Sequence, residues 1–169
     1  HDVKLGVFAG RPVVIAMIYT SCRAACPLVI SDMKALEEKL DARTKKEVRF
    51  VLVSFDPKRD TPAALRQLAG DRSLDLARWT LLTGNDDGVR ELAAVLGVKY
   101  RVAGTEFVHS SVITILDANG AIRFQQDGVK RDAAESVAAL TSLLANVLAL
   151  PAVAPAMWLG MVSAPLAQV

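Results

Sequence analysis

A short apolar run that ends in a cysteine-bearing turn is the feature that most limits what this chain can fold into. Residues 12–19 (PVVIAMIY) are continuously apolar, which is typical of a strand buried within a sheet. Cys22 and Cys26 follow directly, and apolar side chains then recur at helical spacing over residues 27–40. A strand, a turn with one thiol and a helix with the second thiol place both sulfurs on one face near the helix N-terminus.

The same alternation of strand and helix signals continues along the chain. Further strands are predicted over 48–55, 79–83, 111–116 and 121–125. Helices are predicted over 61–69, 86–96 and 132–148, with Gly70 and Gly97 as the stops of the first two. This order predicts an α/β domain with a central mixed β-sheet flanked by helices on both faces, a thioredoxin-like fold with an inserted strand and helix.

Charge divides the chain into a long mixed part and a short apolar end. The 20 basic and 18 acidic residues give a formal net charge of +2 without a block of one sign, which argues against a nucleic-acid partner. None of them lies after Glu135, and residues 149–169 are an apolar tail broken by three prolines. We therefore predict a domain over residues 1–148 and a tail that packs as an extended strap on the domain or on a second copy.

The two cysteines are the first candidates for chemistry. Cys22 should lie at or just before the helix start, where free backbone N–H groups and the helix dipole stabilise a thiolate and lower its pKa. The three residues between Cys22 and Cys26 distinguish this chain from ordinary Cys-x-x-Cys oxidoreductases. A disulfide is possible at this spacing, and two thiolates can equally bind one soft metal ion. Metal binding, thiol redox chemistry and a purely structural role all remain open at this point.

His109 is the candidate for a third ligand. It is the only histidine besides His1, and it directly precedes the predicted strand 111–116. In a thioredoxin-like sheet the loop entering that strand faces the cysteine turn. Two thiolates and an imidazole suit Cu(I), Cu(II) or Zn(II). Because a structural zinc site uses four protein ligands whereas copper tolerates three, this donor set favours copper.

The segment Asp-Pro-Lys-Arg-Asp-Thr-Pro, residues 56–62, follows the second predicted core strand at the same sheet edge as the cysteine turn. One interpretation is turn and cap chemistry, with Thr61 as a helix N-cap and Arg59 paired with a nearby carboxylate. The other is a docking surface or an outer shell beside the metal.

Several segments in order resemble the Sco/SenC family: residues 18–27 (IYTSCRAACP), 53–62 (VSFDPKRDTP), 79–84 (WTLLTG) and 108–110 (VHS). The resemblance extends from about residue 3 to about residue 145. Cys-x-x-x-Cys-Pro, Asp-Pro-x-Arg-Asp-Thr-Pro and the late His-Ser pair are jointly specific for the family.

The resemblance implies a thioredoxin-fold metallochaperone that binds one copper ion, as Cu(I) or Cu(II), and helps to assemble the copper centre of cytochrome c oxidase. It implies Cys22 and Cys26 as thiolate ligands and His109 as the imidazole ligand. The implied partner is the copper-site subunit of cytochrome c oxidase or another copper chaperone. The implied location is extracytoplasmic: the bacterial periplasm or the outer face of the inner membrane, or the mitochondrial intermembrane space, with membrane association through an N-terminal anchor.

The resemblance also carries an alternative, because some family members act as thiol-disulfide reductants. Cys22 would then attack a partner disulfide and Cys26 would resolve the mixed disulfide, which would make the protein an oxidoreductase. Two positions depart from the family pattern. Residues 23–25 are Arg-Ala-Ala where Pro-Asp-Val is common, and Val108 stands where an Asp is common. Since an outer-shell carboxylate orients a ligand imidazole, Val108 bears on copper affinity and oxidation state.

Overall fold

Nine strands are present in the computed structural model, which describes residues 2–147 and 166–168. In chain order they are β1 (Asp2–Val3), β2 (Val13–Ile18), β3 (Arg49–Ser54), β4 (Trp79–Gly84), β5 (Tyr100–Ala103), β6 (Glu106–His109), β7 (Val112–Leu116), β8 (Ile122–Asp127) and β9 (Leu166–Gln168). Seven of them form one sheet in the order β1-β9-β4-β3-β2-β7-β8, and β5 and β6 form a separate hairpin. β2, β3 and β4 are parallel, whereas β7, β8 and β9 run antiparallel to their neighbours.

The helices are α1 (Ala25–Lys39), α2 (Ala42–Glu47), α3 (Pro62–Asp71), α4 (Asp86–Val95) and α5 (Ala134–Val147), preceded by a 3₁₀ turn over Leu5–Phe8. They flank the sheet, with α1 and α5 in contact with each other and α3 and α4 in contact with β4. The predicted thioredoxin-like architecture with a central mixed sheet is therefore confirmed. β2 is buried along its whole length, as its unbroken apolar sequence requires.

Trp79, the first residue of β4, belongs to the core and is 1% exposed. Its indole stacks on Phe50 with ring centroids 4.8 Å apart, and its Nε1–H donates to Glu37 Oε2 at 2.8 Å. The hydrogen bond satisfies the one polar atom of a buried indole. Trp79 thus contributes to core packing.

One predicted helix boundary is wrong. α3 continues through Gly70 to Asp71, although glycine at this position indicated a stop. The left-handed residue that follows the helix is Ser73, which has a positive φ of 51°. Backbone bonds from Ser73 to Gly70 (3.0 Å) and from Leu74 to Ala69 (2.9 Å) form the Schellman pattern that closes it. By contrast, Gly97 has the expected left-handed conformation after α4.

The β5–β6 hairpin was not predicted, and it changes the setting of His109. The sequence placed His109 in a loop, whereas the structure places it at the last position of β6, paired with Tyr100. The hairpin strands have four residues each with mixed exposure, so they lack the apolar run that identifies a buried strand. Gly104 supplies the left-handed residue in the turn between them.

The predicted tail and its domain boundary lie largely outside the described residues. Residues 148–165 are among those the structure does not describe, so the division at 148/149 stays a prediction. Leu166–Gln168 forms β9, which pairs with β4 on one side and β1 on the other. In the part of the chain that the structure describes, no helix combines the length and apolarity needed to cross a bilayer.

Candidate metal centre

Three separate elements bring Cys22, Cys26 and His109 together. Cys22 lies in the turn after β2, Cys26 lies in the first turn of α1, and His109 ends β6. Their ligand atoms all lie within 4.8 Å of one another, and Cys26 Sγ is 3.8 Å from His109 Nε2. Among the described residues, this is the one group of three or more Cys, His, Asp or Glu side chains placed to share a metal ion.

The tautomer of His109 follows from its backbone neighbour. His109 Nδ1 lies 2.9 Å from the carbonyl oxygen of Ser110. Because a carbonyl oxygen can only accept, Nδ1 must carry the proton, and Nε2 then presents its lone pair to the thiols. This hydrogen bond is the usual device by which proteins orient a metal-binding imidazole.

Aromatic rings hold the imidazole from the other sides. Its ring centroid lies 5.0 Å from that of Phe55 and 5.9 Å from that of Tyr19, which meets it edge-on. Phe107 contacts both of these aromatic rings at 5.2 Å. The sequence interpretation missed this aromatic wall, although Tyr19 and Phe107 both lie within three residues of a candidate ligand.

Tyr19 adds a polar contact beside the site. Burial raises the pKa of the Tyr19 hydroxyl, which therefore stays protonated, and its hydrogen bond to Glu106 acts in the same direction. The O–H donates to Glu106 Oε2 at 2.8 Å, and so links the end of β2 to the start of β6. Glu106 thus supplies a carboxylate on the hairpin that carries His109. Val108, which stands where an Asp is common, is 52% exposed and supplies no carboxylate.

The two thiols differ in acidity. Burial opposes ionisation of Cys22, but hydrogen bonds, chiefly from the backbone N–H groups of Cys26 and Ala24 and in addition from the Cys26 side chain, together lower its pKa to about 7. The Cys26 N–H lies 3.4 Å from Cys22 Sγ. Burial raises the pKa of Cys26, and the neighbouring Cys22 thiolate raises it further. The lowered pKa that the sequence predicts for a thiol at the helix start is therefore present at Cys22, whereas Cys26 stays protonated in the metal-free protein.

This difference predicts the pH titration of the metal-free protein. With a pKa of about 7, roughly a tenth of Cys22 is thiolate at pH 6 and roughly nine-tenths at pH 8. We expect the ultraviolet absorbance of one thiolate per chain to rise over this window as protons leave, with Cys26 silent. The Cys22→Ser variant is the control and should lack the transition. A wild-type transition only near the ordinary thiol pKa would contradict the proposed acidity.

The donor set fits a soft metal ion. Bonds of about 2.0 Å to nitrogen and 2.3 Å to sulfur place trigonal donors roughly 3.5–4 Å apart, and the 3.8 Å between Cys26 Sγ and His109 Nε2 lies in this range. Cys22 is 8% exposed and Cys26 2% exposed, while Arg23 and Ala24 between them are exposed. The site thus lies just below the surface, where a partner's ligands can approach.

Comparisons with known proteins show which family this chain resembles. The SCO1/SenC family model matches residues 1–145. A Stutzerimonas stutzeri protein, provisionally named a copper-binding protein, is 31% identical over 134 residues, which are 72% of this chain and 64% of that protein. The chain therefore spans less than two thirds of the length of this relative.

Solved structures show the same fold. The protein BsSco, described with a disulfide switch and as a member of the Sco family of cytochrome c oxidase assembly proteins, has a TM-score of 0.72 and 24% identity. The match covers 82% of this chain and 83% of that one. Bradyrhizobium japonicum ScoI with copper bound has a TM-score of 0.68 and 22% identity, and the match covers 81% and 87%. At these identities the structures bear on the fold alone. The family match over residues 1–145, together with the fold and the cysteine–histidine cluster, shows that this chain belongs to the SCO1/SenC family.

Proposed function

We propose that this protein binds one copper ion through Cys22, Cys26 and His109 and delivers it during assembly of the copper centre of cytochrome c oxidase. The observation that carries the proposal is the convergence of two thiols and an imidazole nitrogen within 4.8 Å. Family membership supports it, as does the similarity to a relative named for copper binding. We further propose that it acts outside the cytoplasm, on the copper-site subunit of the oxidase or on another copper chaperone.

The thiols and the imidazole suit different oxidation states of copper. Thiolates favour Cu(I), and an imidazole suits both Cu(I) and Cu(II), so the three donors together accommodate either oxidation state. Copper binding displaces the proton of Cys26, because the ligand form of cysteine is the thiolate. Release of copper to a partner then requires only that the partner's thiolates and imidazoles replace these ligands one by one. No bond in a substrate is made or broken.

An anaerobic copper titration of the fully reduced protein tests the proposal. We expect one Cu(I) per chain and, after loading with Cu(II), visible absorption from charge transfer between thiolate sulfur and copper. The Cys22→Ser, Cys26→Ser double variant is the control and should show neither. Absence of tight binding in the reduced wild-type protein would contradict the proposal.

A second function is favoured by the unequal thiols. Cys22 has a pKa near 7, while that of Cys26 is raised, which matches an attacking and a resolving cysteine. In such a reaction the Cys22 thiolate attacks a partner disulfide and releases one partner thiolate. Cys26 then attacks the mixed disulfide, so that the partner leaves as a dithiol and Cys22–Cys26 becomes the disulfide. The protein would supply both electrons and need re-reduction by another thiol.

A further inference from the structure

A fully buried carboxylate lies behind the cysteine turn. Asp60 is 0% exposed and accepts three hydrogen bonds: from Thr20 N–H at 2.9 Å, from Thr20 Oγ1 at 2.5 Å and from Ser54 Oγ at 2.5 Å. The two Thr20 donors bind different carboxylate oxygens. None of the ion pairs that the described residues form includes Asp60. The three groups that donate to it are therefore all neutral.

Such an arrangement is a costly way to stabilise a core. Removing a carboxylate from water is unfavourable, and apolar residues of similar size often stabilise a fold better than buried charges do. What the carboxylate provides is directed hydrogen bonding. Both Thr20 donors belong to the residue where the chain has just left β2, two positions before Cys22. Asp60 thus fixes the start of the turn that carries the first thiol.

The residue beside Asp60 reaches the other half of the site. Arg59 pairs through Nε with Asp56, and its Nη1 donates to the carbonyl oxygen of Thr105 at 2.7 Å. Its guanidinium carbon also lies 5.6 Å from the ring centroid of Phe107. Thr105 and Phe107 belong to the β5–β6 hairpin, which carries His109. Residues 56–60 therefore contact both segments that present the candidate ligands.

We propose that residues 56–60 form a positioning loop for the metal centre, in which Asp60 fixes the Cys22 turn through Thr20 and Arg59 fixes the His109 hairpin through Thr105. The role of this loop in metal binding rests on the proposed copper function, whereas its contacts are the observed hydrogen bonds. The loop is itself held in shape, since Asp60 N–H donates to Asp56 O at 2.9 Å and Asp56 N–H donates to Ser54 Oγ at 2.9 Å. Because these hydrogen bonds hold the loop in one conformation, its contacts with Thr20 can hold the Cys22 turn in one conformation as well.

Thr20 gives the sharpest test, because a substitution at Asp60 itself could prevent folding. Thr20→Val keeps the shape and the backbone N–H but removes one hydroxyl donor, whereas Thr20→Ser keeps the hydroxyl. We expect Thr20→Val to lower Cu(I) affinity by about 10-fold or more, as loss of outer-shell contacts does. We also expect its metal-free dithiol to close to a disulfide more slowly with oxidised glutathione. Thr20→Ser should retain wild-type values for both.

A matched control is available at the opposite end of the sheet. Asp117 is also a buried carboxylate, 6% exposed, and it accepts from the N–H groups of Asn119 at 2.8 Å and Ala121 at 3.0 Å. Unlike Asp60, it also forms one of the ion pairs between described residues, with Arg123 Nε at 2.7 Å. It follows β7, which runs antiparallel to β2, so it lies at the end of the sheet away from Cys22. Asp117→Asn should lower Tm while leaving copper affinity and the rate of disulfide closure unchanged.

The outcomes separate this inference from the proposed function. If Thr20→Val lowers Tm but matches Thr20→Ser in both copper affinity and disulfide closure, Asp60 is a structural residue only and the inference is wrong. If the wild-type protein binds no copper, the proposed function fails, while the closure rate of the metal-free dithiol still tests the positioning role. Slower closure in Thr20→Val alone among the three variants supports it.

Discussion

Replacement of His109 by alanine is expected to remove most Cu(II) binding while leaving Cu(I) binding by the two thiolates. Loss of an outer-shell partner costs about 10–100-fold in metal affinity, so loss of the ligand itself should cost more than about 100-fold for Cu(II). The reason is that two soft thiolates satisfy Cu(I), whereas Cu(II) needs the imidazole nitrogen. Competition titrations for each oxidation state, with visible spectra of the Cu(II) form, measure the effect.

The matched control is His1→Ala, because His1 is the other histidine in the sequence. This variant removes the same side chain at a position that is not one of the three proposed ligands. We expect it to bind copper as the parent does. If His109→Ala instead keeps wild-type Cu(II) affinity and charge-transfer bands, the ligand assignment is wrong.

The second large effect is expected for Cys26→Ser, which should abolish tight binding of both Cu(I) and Cu(II). Serine replaces a soft thiolate with a neutral hydroxyl and leaves one thiolate and one imidazole. Loss of an outer-shell contact lowers metal affinity by up to about 100-fold, so loss of this ligand should lower copper affinity by more than that. Cys26 is 2% exposed, and serine is close to it in size, so the fold should survive. Copper competition and thermal unfolding of the same samples measure the two quantities.

The same variant separates the two candidate functions. A thiol-disulfide reductant without Cys26 retains the Cys22 nucleophile but cannot resolve its product, so it should accumulate a mixed disulfide with a model disulfide peptide. His109→Ala in turn should keep most reductase turnover, since the backbone N–H groups of Cys26 and Ala24, which chiefly lower the Cys22 pKa, are unchanged. Rapid turnover by the wild-type protein together with weak copper binding would favour the reductase.

Much of the fold is readable in the sequence because its core strands are continuous apolar runs. The runs at residues 12–19 and 48–55 became β2 and β3, and the predicted strands 111–116 and 121–125 became β7 and β8. Asn85 and Thr61 cap their helices through local hydrogen bonds, which are encoded within a few residues. Local signals of this kind require no knowledge of the rest of the chain.

The errors fall where local signals are weak or are overridden. The β5–β6 hairpin has short, partly exposed strands and is held by contacts to Tyr19, Phe55 and Arg59, which are distant in the sequence. Gly70 lies inside α3 because the Schellman closure at Ser73 and the burial of Ala69 outweigh the helix propensity of glycine. Both cases are tertiary effects that no window of neighbouring residues contains.

The sequence by itself determined the chemistry available to this protein: two thiols one helical turn apart after a buried strand, a single late histidine, and the family to which these motifs belong. The tertiary structure alone decided that His109 Nε2 faces Cys26 Sγ at 3.8 Å, that Ser110 sets its tautomer, and that the thiols differ in acidity. These properties depend on distances between groups far apart in the chain. Residue identity fixes which atoms can bind a metal, whereas packing fixes whether they meet.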